Sequence, residues 1–96
     1  MKSYLHKAFL IDLEGNKKPV EPANGSDFSL EELYRHLDCT IVEVVNTIDG
    51  RIMIIDEEGK LKTNSKVNVK ATLLYSKGFI ENIVGKAIVC HPSMFK

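Results

Sequence analysis

IVEVVNTIDGRIMIIDEEG, residues 41–59, places two β-rich runs on either side of Asp49-Gly50. An Asp-Gly dipeptide between apolar runs is the strongest short-range signal for a β-hairpin, because it tolerates the positive φ angles of a tight turn. Asp56-Glu57-Glu58-Gly59 is a second, acidic turn that ends the pair. With a minimal two-residue loop, Ile48 faces Arg51, Val45 faces Ile54, Val44 faces Ile55 and Glu43 faces Asp56. Val42, Val44, Met53 and Ile55 then share one face, and Ile41, Val45, Ile52 and Ile54 share the other. Both faces are apolar near the middle, so the hairpin is covered on at least one side. Like charges directly opposite destabilise a sheet. The Glu43–Asp56 pairing therefore has three ways out: it frays into solvent, the loop takes three residues and the register shifts, or a cation sits there.

Working outward, Tyr4–Asp12 reads as a first strand, apolar on both faces and suited to a central place in a sheet. Glu14-Gly15-Asn16 is turn chemistry. Lys17–Gly25, with Pro19 and Pro22, is a loop or short edge strand, since proline cannot donate to a ladder. Ser29 then caps a helix, with Glu32 completing the capping-box pattern. Leu30, Leu33, Tyr34 and Leu37 form one apolar core stripe, and Phe28 stands where it can staple onto it. Asn64–Ser76 has two readings. Val69, Ala71, Leu73 and Tyr75 alternate as in a strand, whereas Val67, Ala71 and Leu74 make a helical stripe that Asn64 or Ser65 could cap. We favour a helix near Asn68–Tyr75, stopped by Gly78. Ile83–Cys90 reads as the last strand, ending before Pro92. The expected fold is a single α+β domain over residues 1–96: a mostly antiparallel sheet with the hairpin at its centre and one or two helices on one face. Strand order does not follow from the sequence.

Composition narrows function by exclusion. The 96 residues carry 13 basic and 13 acidic groups, a formal net charge of zero. Neither a general electrostatic grip on nucleic acid nor an acidic mimic of it fits that balance. Residues 67–96 hold four lysines, Lys70, Lys77, Lys86 and Lys96, against the single acid Glu81. That leaves weak nucleic-acid binding through the C-terminal lysines as a minor alternative. MKSYLHKAFLIDLEG lacks the apolar core of a signal peptide, and no apolar run is long enough to span a bilayer. Cys39 and Cys90 form no CxxC motif and read as reduced, partly buried thiols, with a disulfide as the minor alternative, so the expected setting is the cytoplasm, away from membranes.

No constellation of catalytic or ligating residues outweighs its ordinary explanation. His36, Cys39, Cys90 and His91 could offer four zinc ligands, but adjacent strand residues point to opposite faces, which separates Cys90 from His91. Cys39 with His36, or Cys90 with His6, lacks any nucleophile signature around it. Glu43, Asp56, Glu57 and Glu58 match a solvated turn better than an acid–base pair. Gly85-Lys86 lacks the spacing of a phosphate loop. No catalytic residue, cofactor or metal is therefore assigned.

The order of elements is familiar in one respect. The helix LEELYRHLDC is followed by IVEVV, a turn, IMIIDEEGKLK, an Asn68-x-x-Ala71-Thr72 element and IVGKAIV. From about Tyr4 to Val89 this resembles the DUF3846 family, small uncharacterised proteins of bacteria, phages and mobile elements. Asp56, Glu57, Gly59, Asn68, Ala71 and Gly85 fall on the family's motif positions, and Lys17–Asp27 is longer than its simplest members have. The resemblance implies a cytosolic accessory domain of mobile-element type. It would be a protein-interaction module, with Asp56, Glu57 and Asn68 converging at one end of the hairpin to meet a partner. A small ligand-binding protein or enzyme using that end is the alternative.

Overall fold

The hairpin forms, but its loop has three residues. In this computed structural model, which describes residues 8–62 and 66–95, Val42–Asn46 and Ile52–Asp56 are its antiparallel strands, here β3 and β4. Thr47 N–H donates to Arg51 O at 3.0 Å, leaving Ile48, Asp49 and Gly50 as the loop. Side-chain chemistry selects this length. Thr47 Oγ1 donates to Asp49 Oδ1 at 2.6 Å and accepts from Arg51 N–H at 2.9 Å, while the Arg51 guanidinium grips the Asp49 carboxylate. Only Gly50 then needs a positive φ, which is +89°, as in a three-residue hairpin closed by a left-handed glycine. The minimal-loop register is thus displaced by one: Val42 faces Asp56, Glu43 faces Ile55, Val44 faces Ile54 and Val45 faces Met53. A one-residue slip re-sorts every cross-strand pair, and the Glu43–Asp56 conflict disappears. Val42, Ile52 and Ile54 now pack on one face, and Val45, Met53 and Ile55 on the other.

The other strands are Ala8–Ile11 (β1), Lys17–Val20 (β2) and Ala87–Cys90 (β5). Tyr4–Lys7, the start of the expected first strand, lie outside the described residues. The five-stranded sheet has the order β2-β1-β5-β4-β3, every pair antiparallel. β3 is an edge strand, and β5, not the hairpin, sits at the centre with all four residues buried. It is shorter than the expected Ile83–Cys90, because Gly85 takes φ +88° and gives its N–H to Lys66 O at 2.9 Å, away from the ladder. β2 is an edge, where Pro19 costs no ladder bond.

Two helices cover the sheet. α1, Leu30–Leu37, carries the full capping box: Ser29 Oγ accepts from Glu32 N–H at 3.1 Å, and Glu32 Oε1 accepts from Ser29 N–H at 2.8 Å. Leu33 and Leu37 are buried with Phe28, but Leu30 is 50% exposed and leaves the expected stripe. Phe28, in front of the cap, takes the place beside Leu33 as the staple does. α2, Val69–Leu74, is a helix as favoured, with Asn68 as its cap; Asn64 and Ser65 lie outside the described residues. The helices do not share a face. α1 packs with Ala8, Leu10, Ile52, Ile54, Ile88 and Cys90, whereas Ala71 of α2 packs with Ile11, Met53, Ile55, Ala87 and Val89. Strands apolar on both sides need cover on both sides, so each helix takes one.

Candidate functional site

Four of the motif positions, Gly59, Asn68, Ala71 and Gly85, lie about one joint at Asn68. Its side chain is 1% exposed. Oδ1 accepts from Ala71 N–H at 3.1 Å as the cap of α2, while Nδ2 donates to Ile11 O at 3.1 Å and to Gly85 O at 2.9 Å. One amide thus ties together α2, β1 and the bend before β5. Thr72 completes the clamp, donating from Oγ1 to Asn68 O at 2.8 Å and accepting from Ile83 N–H at 2.8 Å. Ala71 is fully buried beneath this arrangement. Gly59 approaches the same bend from the other side, and a Cβ there would lie 2.9 Å from Val84 O. The N-x-x-A-T and IVG elements therefore lock one to the other, with the glycine of DEEG fitted against them.

Asp56 and Glu57 part company at this point. The Asp56 carboxylate is buried; it accepts from Glu58 N–H at 2.9 Å and pairs with Lys62 Nζ at 2.6 Å. Lys62 also donates to Asp38 O at 2.9 Å, and Lys86 Nζ pairs with Asp38 Oδ2 at 2.7 Å. Asp38 closes α1 in the left-handed region, φ 54°, so both ammonium groups sit where cations favour a helix C-terminus. Glu57 is exposed, its N–H bonded to Ile41 O. Asn68 lines neither of the grooves that Asp56 lines. The expected joint surface of Asp56, Glu57 and Asn68 is thus an internal joint at Asn68, a buried ion pair at Asp56 and an open surface at Glu57.

Three depressions surround the joint. A cleft of about 120 Å³ lies between Glu43, Glu57, Tyr75 and Glu81. Tyr75 donates to Glu81 Oε1 at 2.9 Å, and burial together with the nearby Glu81 and Glu43 carboxylates raises its pKa. On the other side of Gly59 a groove of about 410 Å³ runs between Leu13, Leu37 and Val84, rimmed by Lys62, Lys66 and Lys86. Leu13 continues into a third groove, of about 320 Å³, whose far wall is Val69, Lys70 and Leu73 of α2. Val69 and Leu73, four apart on the helix, are 66% and 73% exposed, and Phe79 and Ile80 in the following turn are 84% and 66% exposed.

The sequence signal for this surface runs across the start, at residue 67, of the C-terminal lysine block. Gly59–Ile80 contains five lysines and no acid, while the whole chain is neutral. Of the remaining candidates, Cys39 and Cys90 are free and buried in one core cluster. Burial pushes the Cys90 thiol up to about 11 and raises Cys39, helped there by Asp56. His91 Nδ1 accepts from Ser93 N–H at 3.1 Å and caps a short 3₁₀ turn. Among the described residues no three His, Cys, Asp or Glu side chains group as a metal would need. No helix among them is long and apolar enough to cross a membrane.

The arrangement defines a small α+β domain with a five-stranded antiparallel sheet and a helix on each face. By family model the chain belongs to DUF3846, a domain of unknown function, which matches residues 7–94. Neither the curated proteins nor the solved structures contain a match to it.

Proposed function

We propose that this domain is a protein-interaction module, a cytosolic accessory domain of the kind mobile elements carry, and that it docks a partner over the outward side of α2. The observation that supports this reading is the exposure of Val69 and Leu73 on one side of α2, opposite Leu13 across a groove. Scattered apolar residues on a surface are ordinary, but a grouped set lining a groove marks a contact site. The family's motif residues support the same reading. Asn68, Ala71, Thr72 and Gly59 are spent on positioning α2 against the sheet, which is sense for a helix whose outer side is used. Buried, unreactive Cys39 and Cys90 fit a reducing compartment.

The test is a photo-crosslinking side chain placed at position 73, with one at the exposed Leu30 on the opposite face as control. In cells of the source organism, position 73 gives a discrete protein adduct that position 30 does not. Adducts at neither position, or the same ones at both, would remove the proposal. A ligand-binding reading draws on the groove beside Asp56, where Lys62 and Lys86 are held by acids of the chain itself. A small metabolite retained in native mass spectrometry and lost on Lys66→Glu would favour it.

A further inference from the structure

The two larger grooves share Leu13 as a lining residue and make a trough in two parts, one by the C-terminal end of α1 and the other by the outer side of α2. Its walls are apolar: Leu13, Leu37, Val84, Val69 and Leu73. Four lysines and three acids, Glu14, Asp38 and Asp56, line it. Lys62 and Lys86 are paired with Asp56 and Asp38, whereas Lys66 and Lys70 have no ion pair among the described residues. Lys70 lies across the second groove from Glu14, its Cε 4.0 Å from where a Cβ on Gly15 would stand. Every lysine of the trough except Lys86 comes from Gly59–Ile80, the run with five lysines and no acid.

We infer that the trough takes an acidic amphipathic segment of the partner protein, with apolar side chains in the grooves and carboxylates on Lys66 and Lys70. The inference rests on the proposed interaction reading and names the chemistry of the partner. Charge left over decides the sign of that partner: with Asp38 and Asp56 already paired, Lys66 and Lys70 outnumber Glu14, and a basic or neutral segment would leave that positive excess unmet. Shape decides its class. Nucleic acid would leave the leucine and valine walls without apolar contact, and a flat bilayer would not fill a concave trough. An amphipathic helix places apolar residues at i, i+3, i+4 and i+7 along one line, the form a groove between apolar walls accepts.

The adduct formed at position 73 is digested and the joined segment read by mass spectrometry, and that segment is synthesised for titration against the full chain. The expected segment is rich in Asp and Glu with apolar residues at helical spacing. Its affinity falls at least about tenfold between low and high salt, as screened charge pairs require, and falls similarly on Lys66→Glu with Lys70→Glu. Circular dichroism of that double variant establishes that the fold is kept. A basic or uncharged segment overturns the inference while leaving the interaction reading intact, as does binding indifferent to salt and to both charge reversals. Adducts to lipid, nucleic acid or a second copy of this chain overturn it as well. Absence of any specific adduct at position 73 defeats the interaction reading itself.

Discussion

Asn68 joins α2, β1 and the bend before β5 through one buried side chain. A buried amide with two donors and one acceptor in use leaves two carbonyls and one N–H orphaned when truncated, and each orphan costs about 1–3 kcal/mol. Asn68→Ala should therefore lower stability by about 2–4 kcal/mol in urea denaturation. Asn68→Asp keeps the cap but presents a carboxylate to Ile11 O and Gly85 O, and should be no better. A loss below about 0.5 kcal/mol, the range of an ordinary surface substitution, would mean that Asn68 serves something other than the joint. The two motif glycines should separate by mechanism. Gly59→Ala drives a Cβ to 2.9 Å from backbone at Val84, where φ is not the difficulty. Gly85 has open space around it but φ +88°, so Gly85→Asn should be milder than Gly85→Ala, because Asn tolerates left-handed backbone better. Thermal unfolding of the three variants orders them. Sequence pattern could mark Asn68 as a cap, yet its bonds to Ile11 and Gly85 span 57 and 17 residues. Nothing local announces such partners.

At the scale of elements, local chemistry was readable and tertiary placement was not. Ser29 with Glu32 predicts α1 to the residue, and a second helix near Asn68–Tyr75 is found as Val69–Leu74. The hairpin is also found, but its register was hidden in Thr47 and Arg51, whose side chains rebuild the loop around Asp49. That register makes Val42–Asp56, Val44–Ile54 and Asn46–Ile52 the non-hydrogen-bonded pairs, whose backbones approach most closely. Nuclear Overhauser contacts between Hα protons should appear for those pairs; contacts at Val45–Ile54 and Thr47–Ile52, the non-hydrogen-bonded pairs of the other register, would instead restore the two-residue loop. The capping box makes a second prediction at this scale. Glu32 accepts from the N–H groups of Ser29 and Ala23, and these bonds hold its carboxyl below the ordinary value of 4.5. The unfolded chain then takes up the proton more readily, so this stabilisation is whole above the ordinary value and is lost as pH falls through it toward the folded one. Glu32→Gln should be less stable than the parent at neutral pH and lose less of its melting temperature between about pH 5.5 and about pH 3. Parallel pH profiles for the two proteins would show that the box does not carry this dependence.

For the whole molecule, the decisive property is that both faces of the sheet are covered while one of the covering helices stays apolar on its outside. Strands β1, β4 and β5, apolar on both sides, call for two layers where one is expected from the sequence. α1 satisfies its layer with Leu33 and Leu37 inward and Leu30, Glu31 and Arg35 outward. α2 is only six residues long, too short to persist without packing, and it holds to the sheet through Ala71 and the Asn68 joint. Val69 and Leu73 then add nothing to the core, being 66% and 73% exposed. A double change, Val69→Gln with Leu73→Gln, should consequently shift folding stability by no more than about 0.5 kcal/mol per site, the range for surface positions, and should abolish the position-specific adduct to the partner. Ala71→Leu, in a fully buried site, should instead destabilise by about 1–3 kcal/mol through overpacking while leaving the outer side chains chemically unchanged. Chemical denaturation separates the two variants from binding loss alone. If the double glutamine variant unfolds as readily as Ala71→Leu, Val69 and Leu73 support the fold from outside and α2 is not a free surface. If it folds like the parent and still forms the adduct, the partner sits elsewhere on the domain.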